Sequence, residues 1–157
     1  MGVVTTEIEI TCAVAPAILY KAMVLDATKI FPKALPNFIK SVDIIEGDGG
    51  PGSIKQFTLP EGYVKLEVNV VDSINYVYQC TIIEAVTSIL SDPLEKISNE
   101  YKFVGSLDGG CIVKSTGKYY TKGDEQLTEE FLKPNKERFT LFTKGIEDYL
   151  MANPDYN

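Results

Sequence analysis

The sequence predicts an α+β fold, a curved antiparallel sheet wrapped around one long C-terminal helix. Two patterns carry that prediction. From Val3 to Thr121 the chain mostly alternates polar and apolar residues with period two, the mark of strands with one wet face. From Leu127 to Met151 the period changes: Leu132, Phe139, Phe142, Ile146 and Tyr149 recur at intervals of three, four or seven, drawing one apolar stripe along a helix of roughly 25 residues. A one-sided sheet needs an apolar partner, and this helix supplies it.

Taken in order, Val3 to Cys12 forms the first strand, with Val4, Thr6, Ile8, Ile10 and Cys12 inside and Thr5, Glu7, Glu9 and Thr11 outside. Pro16 is placed to open a short helix whose apolar face is Ile18, Leu19, Ala22, Met23 and Leu25. Asp26 is the expected cap of a second short helix that buries Ile30 and Phe31. Pro32 and Pro36 lack an amide donor and are expected to keep both helices short.

Strand returns over Ile39 to Glu46, followed by Gly47-Asp48-Gly49-Gly50-Pro51-Gly52. Four glycines in six residues reach positive φ cheaply, so this loop reads as a tight connection into Ser53 to Leu59. A phosphate-binding loop would set Lys directly after its last glycine at the start of a helix, whereas Ser53 and Ile54 precede Lys55 here and a strand follows.

Pro60-Glu61-Gly62 turns into Tyr63 to Val71, whose dry face is Val64, Leu66, Val68 and Val70. After a turn at Asp72 to Asn75, the strand Tyr76 to Glu84 sets Tyr76, Tyr78, Cys80 and Ile82 on one side. Ala85 to Pro93 reads as a loop. Leu94 to Val104 offers Ile97, Asn99, Tyr101 and Phe103 inward. Across the hairpin signal Asp108-Gly109-Gly110, the last strand offers Cys111, Val113, Ser115, Gly117 and Tyr119. No repeat or linker divides the chain, so residues 1–157 read as a single domain.

A formal net charge of -7 argues against nucleic acid or an anionic membrane as partner, because electrostatics repels both. Cys12, Cys80 and Cys111 are odd in number and widely spaced, which supports neither a disulfide framework nor a zinc site and fits a reducing compartment. The N-terminus carries acids where a secretory signal would be basic and apolar, and no apolar run approaches the length of a membrane span. A cytoplasmic monomer without metal or cofactor is the expectation.

The inner face is rich in polar and aromatic groups: Tyr76, Tyr78, Tyr101, Tyr119, Asn99, Ser115 and Thr6. Buried hydroxyls and amides need partners. Alternation alone leaves two readings open, a filled core with tyrosines reaching the rim, or a cavity with a few convergent polar groups.

Several stretches carry a resemblance. Pro32-Lys33-Ala34-Leu35-Pro36, the glycine loop from Glu46 to Lys55, Leu94-Glu95-Lys96-Ile97, Lys118 to Asp124 and the closing Asn153 to Asn157 resemble the plant class-10 pathogenesis-related proteins, the family of the birch major pollen allergen. Ser91 to Ile97 and Cys111 to Thr116 are similar to the branch containing the St John's wort protein once called a phenolic coupling enzyme. The resemblance implies a helix-grip fold: a seven-stranded sheet gripping the long helix, two short helices in a V, and a large internal cavity. It implies binding of flavonoids, cytokinins and other amphipathic plant molecules, in defence or stress response. By position the lining residues would be Phe31, Ile39, Phe57, Leu66, Tyr78, Cys80, Ile97, Asn99, Tyr101, Val113, Ser115, Phe139 and Phe142. Two departures from the family pattern are a shorter turn over Leu59 to Tyr63 and Cys80 where an aromatic is common.

Catalysis has few groups to draw on, since the chain has no histidine and Ser-His and Cys-His pairs are excluded. The resemblance also implies an alternative, a weak ribonuclease using Lys55, Glu95, Glu147 and Tyr149, or an enzyme of plant secondary metabolism. A glutamate could serve as general base and a lysine could stabilise a phosphorane, yet the net charge repels RNA. Binding is therefore the expected role, with the two glutamates as structural ties. Within the last helix, Pro134 and Gly145 are unusual in a rigid strut, so the segment Phe131 to Asn135 is expected to be kinked or mobile and to gate ligand entry.

Overall fold

The computed structural model describes residues 2–87, 90 and 94–156. Part of the expected loop Ala85 to Pro93 lies outside them, namely residues 88, 89 and 91–93. The strands are β1 (Gly2–Cys12), β2 (Ser41–Glu46), β3 (Ile54–Leu59), β4 (Gly62–Asp72), β5 (Val77–Val86), β6 (Leu94–Gly105) and β7 (Cys111–Thr121). They form one antiparallel seven-stranded sheet in the order β1-β7-β6-β5-β4-β3-β2. Between β1 and β2 the chain makes the helices α1 (Pro16–Tyr20) and α2 (Ala27–Ala34), and it ends with the long helix α3 (Glu129–Ala152).

Extra residues bend the sheet. The register slips by one at Ile45 against β3, at Asn69 and Ile83 in the β4–β5 pair, and at Glu95 against β7. Each added residue is exposed, so the bulges swell the outer face and curve the inner one. The bulge at Asn69 also corrects the expected dry face of β4. Beyond it, Val71 pairs with the inward Tyr78 and packs on the core, while Val70 pairs with Gln79.

The helical segment after β1 differs from its sequence pattern. Residues Lys21–Leu25 form a π-helical turn in which the Asp26 amide donates to the Lys21 carbonyl at 2.8 Å. That wider turn rotates the face: Tyr20 and Val24 are buried, and Leu25 points out at 52 % exposure. Asp26 precedes α2 without a side-chain capping bond. Its carboxylate instead accepts from the Tyr156 hydroxyl at 2.6 Å, which ties the chain's end to these helices. Pro32 sits inside α2 rather than ending it, and the helix closes at Leu35, whose amide reaches the Phe31 carbonyl.

Thr128 caps α3 by accepting from the Phe131 amide at 3.1 Å, and Glu129 and Glu130 complement the positive end of the helix. The helix runs on through Pro134. Gly145 has a packing reason: a Cβ there would collide with the Leu35 side chain, so glycine lets α3 approach the end of α2. The apolar packing forms two bodies. The larger joins α1, α2, the sheet and the second half of α3 through residues such as Leu19, Ile30, Val68, Ile146 and Leu150. The smaller holds Leu94, Ile97, Tyr119 and Leu132.

Thr143 is fully buried on α3 and its hydroxyl has no hydrogen-bond partner among the described residues. A buried hydroxyl without a partner costs about 1–3 kcal/mol relative to an apolar group of the same shape. Thr143→Val is therefore expected to raise the stability measured by urea unfolding by about 1 kcal/mol. A fall would mean that the hydroxyl is bonded in solution.

Candidate functional site

Between the two apolar bodies lies a cavity of about 680 Å³. Its lining draws on both, Met23, Leu66 and Tyr78 from the larger and Ile97 and Tyr119 from the smaller, so it occupies the space that neither fills. The volume falls within the range of small-molecule sites. The wall of α3 is made by Asn135, Arg138, Phe139 and Phe142, spaced so that one helix face looks in.

Twelve of the thirteen residues expected from the sequence line this space: Phe31, Ile39, Phe57, Leu66, Tyr78, Cys80, Ile97, Asn99, Tyr101, Ser115, Phe139 and Phe142. Val113 does not. It is fully buried in the larger apolar body, because β7 reaches the helix-covered end of the sheet at that point. Tyr76 stands apart as well. Its φ of 57° places it in the turn before β5, where its ring packs 5.6 Å from that of Tyr20.

Aromatic rings brace the walls. Tyr101 lies between Tyr78, at 6.3 Å and 18°, and Phe139, at 4.8 Å and 25°. Phe31 meets Phe57 edge to face at 5.4 Å, and Phe38 meets Phe142 at 6.1 Å. Such pairs hold ring positions beyond what area burial alone gives. Burial pushes the Cys80 thiol up to about 12 and raises the phenols of Tyr78 and Tyr101, so all three are neutral near pH 7. These three groups thus add hydroxyl and thiol functions to the lining without adding charge.

Three basic residues line the cavity, Lys55, Lys136 and Arg138, and two of them make hydrogen bonds at the wall. Lys55 is only 4 % exposed; its Nζ donates to the Val24 carbonyl at 3.3 Å and to the Tyr78 hydroxyl at 3.5 Å. Desolvation lowers its affinity for a proton. The Val24 carbonyl is a helix-end acceptor at the π turn, a natural partner for a cation. Arg138 is half-buried, donates to Asn135 Oδ1 at 2.8 Å, and is pulled down by burial with Glu61 opposing. Neither was expected as a lining residue, though the signal was present: Lys55 shares strand parity with Phe57, and Arg138 lies four residues before Phe142.

The four residues of the ribonuclease alternative are dispersed. Lys55 faces the cavity, whereas Glu95, Glu147 and Tyr149 do not line it. Glu95 is the exposed bulge residue of β6. Glu147 accepts from the Ala13 amide at 2.5 Å and from Lys144 Nζ at 3.3 Å, while Lys144 also donates to the Thr11 carbonyl at 2.5 Å. This clamp joins α3 to the end of β1. Donors of the glycine loop are taken by the protein itself: the Gly49 amide bonds Ser53 Oγ at 2.8 Å and the Gly52 amide bonds the Val68 carbonyl of β4 at 2.8 Å. Among the described residues no group of three or more metal-ligating side chains is assembled, and no helix is long and apolar enough to cross a membrane.

Residues 1–153 match the model of the pathogenesis-related protein Bet v 1 family. The chain is 48 % identical to the major allergen Pru av 1 of Prunus avium and 45 % identical to the major pollen allergen Bet v 1-M/N of Betula pendula, each alignment covering 100 % of both chains. Among solved structures, Ara h 8.0201 superposes with a TM-score of 0.86 at 36 % identity, over 96 % of this chain and 99 % of that one. A norcoclaurine synthase from Thalictrum flavum, in complex with dopamine and hydroxybenzaldehyde, shares the fold with a TM-score of 0.71 at 20 % identity, over 96 % and 88 % of the two chains.

Removing the Glu147 clamp leaves the exposed Ala13 amide to water, so Glu147→Ala is expected to cost about 0.5–1.5 kcal/mol in chemical unfolding. Ligand affinity should be unaffected once the protein is folded. An unchanged unfolding midpoint would show that the clamp does not hold in solution.

Proposed function

The chain belongs to the pathogenesis-related protein Bet v 1 family, and from that premise we propose that it binds, stores or carries amphipathic and hydrophobic small plant molecules in its internal cavity. Flavonoids, phytohormones such as cytokinins, and other secondary metabolites are the ligand classes, and the setting is plant defence or stress response in the cytoplasm. The chain acts as one ligand-binding domain without cofactor. The observation that carries this reading is the cavity of about 680 Å³ walled by aromatic and aliphatic side chains with a few polar groups facing in.

Physical reasons support a binder. An apolar ligand entering such a space removes its own surface from water at about 25 cal/mol per Å², and the walls are already held in place by ring pairs and two packed ends. The polar groups of the wall gather in two places, Lys55 with Tyr78, and Tyr119 with Thr6, Asn135 and Arg138, which leaves most of the rest of the surface apolar. Entry is proposed at the start of α3, where Pro134 cannot donate a hydrogen bond to the preceding turn.

N-Phenyl-1-naphthylamine, an uncharged dye that brightens in apolar surroundings, is expected to bind saturably and to be displaced by flavonoids and cytokinins. Its affinity should fall when the cavity is filled by Ser115→Trp, provided that thermal melting shows the variant folded. Absence of saturable binding to the unaltered protein would overturn the carrier reading.

A further inference from the structure

The chemistry at Lys55 narrows the ligand class. An ammonium has three N–H donors. Two of those on Lys55 are used by the Val24 carbonyl and the Tyr78 hydroxyl, and no protein group takes the third among the described residues. Tyr78 accepts from Lys55, which leaves its own hydroxyl proton to donate elsewhere. Two donors, one cationic and one phenolic, therefore stand side by side and face the cavity.

Among the described residues no carboxylate approaches this cation. The ion pairs among the described residues leave Lys55 out, although the chain holds 22 acidic residues against 15 basic ones. The acids that line the cavity, Glu61 and Glu137, are exposed. Burying an ammonium without a counter-ion is unfavourable, and a ligand that brings an anion removes that penalty. The surrounding walls, Val24, Phe57, Leu66 and Cys80, demand that the rest of the ligand be apolar.

We propose that Lys55 and Tyr78 form a two-donor subsite that selects amphipathic acids, ligands whose apolar body carries a carboxylate, sulfonate or similarly acidic oxyanion. The two oxygens of such a group accept one bond each from the free Lys55 N–H and the Tyr78 O–H. A neutral ligand of the same shape leaves the ammonium unpaired. This inference rests on the carrier reading above, and names the ligand class for the same cavity.

The test pairs N-phenyl-1-naphthylamine with 8-anilinonaphthalene-1-sulfonate, which has the same ring body with a sulfonate added. Lys55→Met keeps the apolar stem and removes the charge. It is expected to weaken the sulfonate about tenfold or more, the change one charge-assisted hydrogen bond makes, while shifting the neutral dye less than about twofold. Tyr78→Phe, which removes one hydroxyl, is expected to weaken the sulfonate selectively by a smaller factor and serves if Lys55→Met does not fold. Equal effects on both dyes, or none, would overturn the subsite. Selective loss of the sulfonate in Arg138→Gln but not in Lys55→Met would place the anion at Arg138 and overturn it too. Failure of the unaltered protein to bind the neutral dye would overturn the carrier reading, whereas binding of that dye with equal responses of the two dyes to Lys55→Met would overturn the acid-binding subsite alone.

Discussion

The buried apolar side chains of α3 fall in its first turn and its last two, and the space between them governs the rest of the structure. Leu132 enters the small apolar body near the start of the helix, and Ile146 and Leu150 enter the large one near its end. The middle is turned to the cavity through Asn135, Arg138, Phe139 and Phe142. A helix fixed at both ends can span a gap without filling it. The bulges at Ile45, Asn69, Ile83 and Glu95 complement this by curving the sheet away from its partner. Close packing at Gly145 and the Glu147 clamp then hold the C-terminal half firmly.

Hollowness has an energetic consequence. A folded chain normally fills its core to the density of an organic crystal, and unfilled space forfeits contacts. Here the loss is offset by ring pairs that prop the walls and by hydrogen bonds that anchor the α1–α2 segment, including Tyr20 to the Val77 carbonyl at 2.9 Å and Tyr156 to Asp26. The polar groups that an ordinary core would exclude are kept at the wall. Lys55 is the extreme case, a cation whose partners are a helix-end carbonyl and a phenol.

Much of this could be read from the residues. Period-two alternation placed all seven strands, and the change to helical spacing placed α3, because each pattern repeats often enough to outvote local exceptions. Strand parity also found most of the cavity wall. It failed where parity is not the controlling factor. Val113 has the same parity as Ser115, but lies deeper under the short helices, and depth along a strand has no periodic signature. Val70 lost its place to Val71 through one extra residue at Asn69. Leu25 exchanged places with Val24 through the π turn, a change of winding that residue spacing does not announce. Lys55 was legible by parity but carried a charge, which marks a surface residue in most strands. Gly145 reads as weakness in the helix from spacing alone, whereas the Leu35 side chain against it leaves no room for a Cβ. The kink expected at Phe131 to Asn135 remains a proposal about motion, with α3 continuous through that segment.

Methyl-resolved NMR during titration with an uncharged apolar ligand reads the occupied space directly. Ile39, Leu66, Ile82 and Ile97 line the cavity, while Ile44, Ile45, Ile83 and Val104 lie exposed elsewhere on the molecule. Saturable shifts in the first group, with the second unmoved, are the predicted result. Shifts confined to the second group would place the ligand on the outer surface and contradict an interior site.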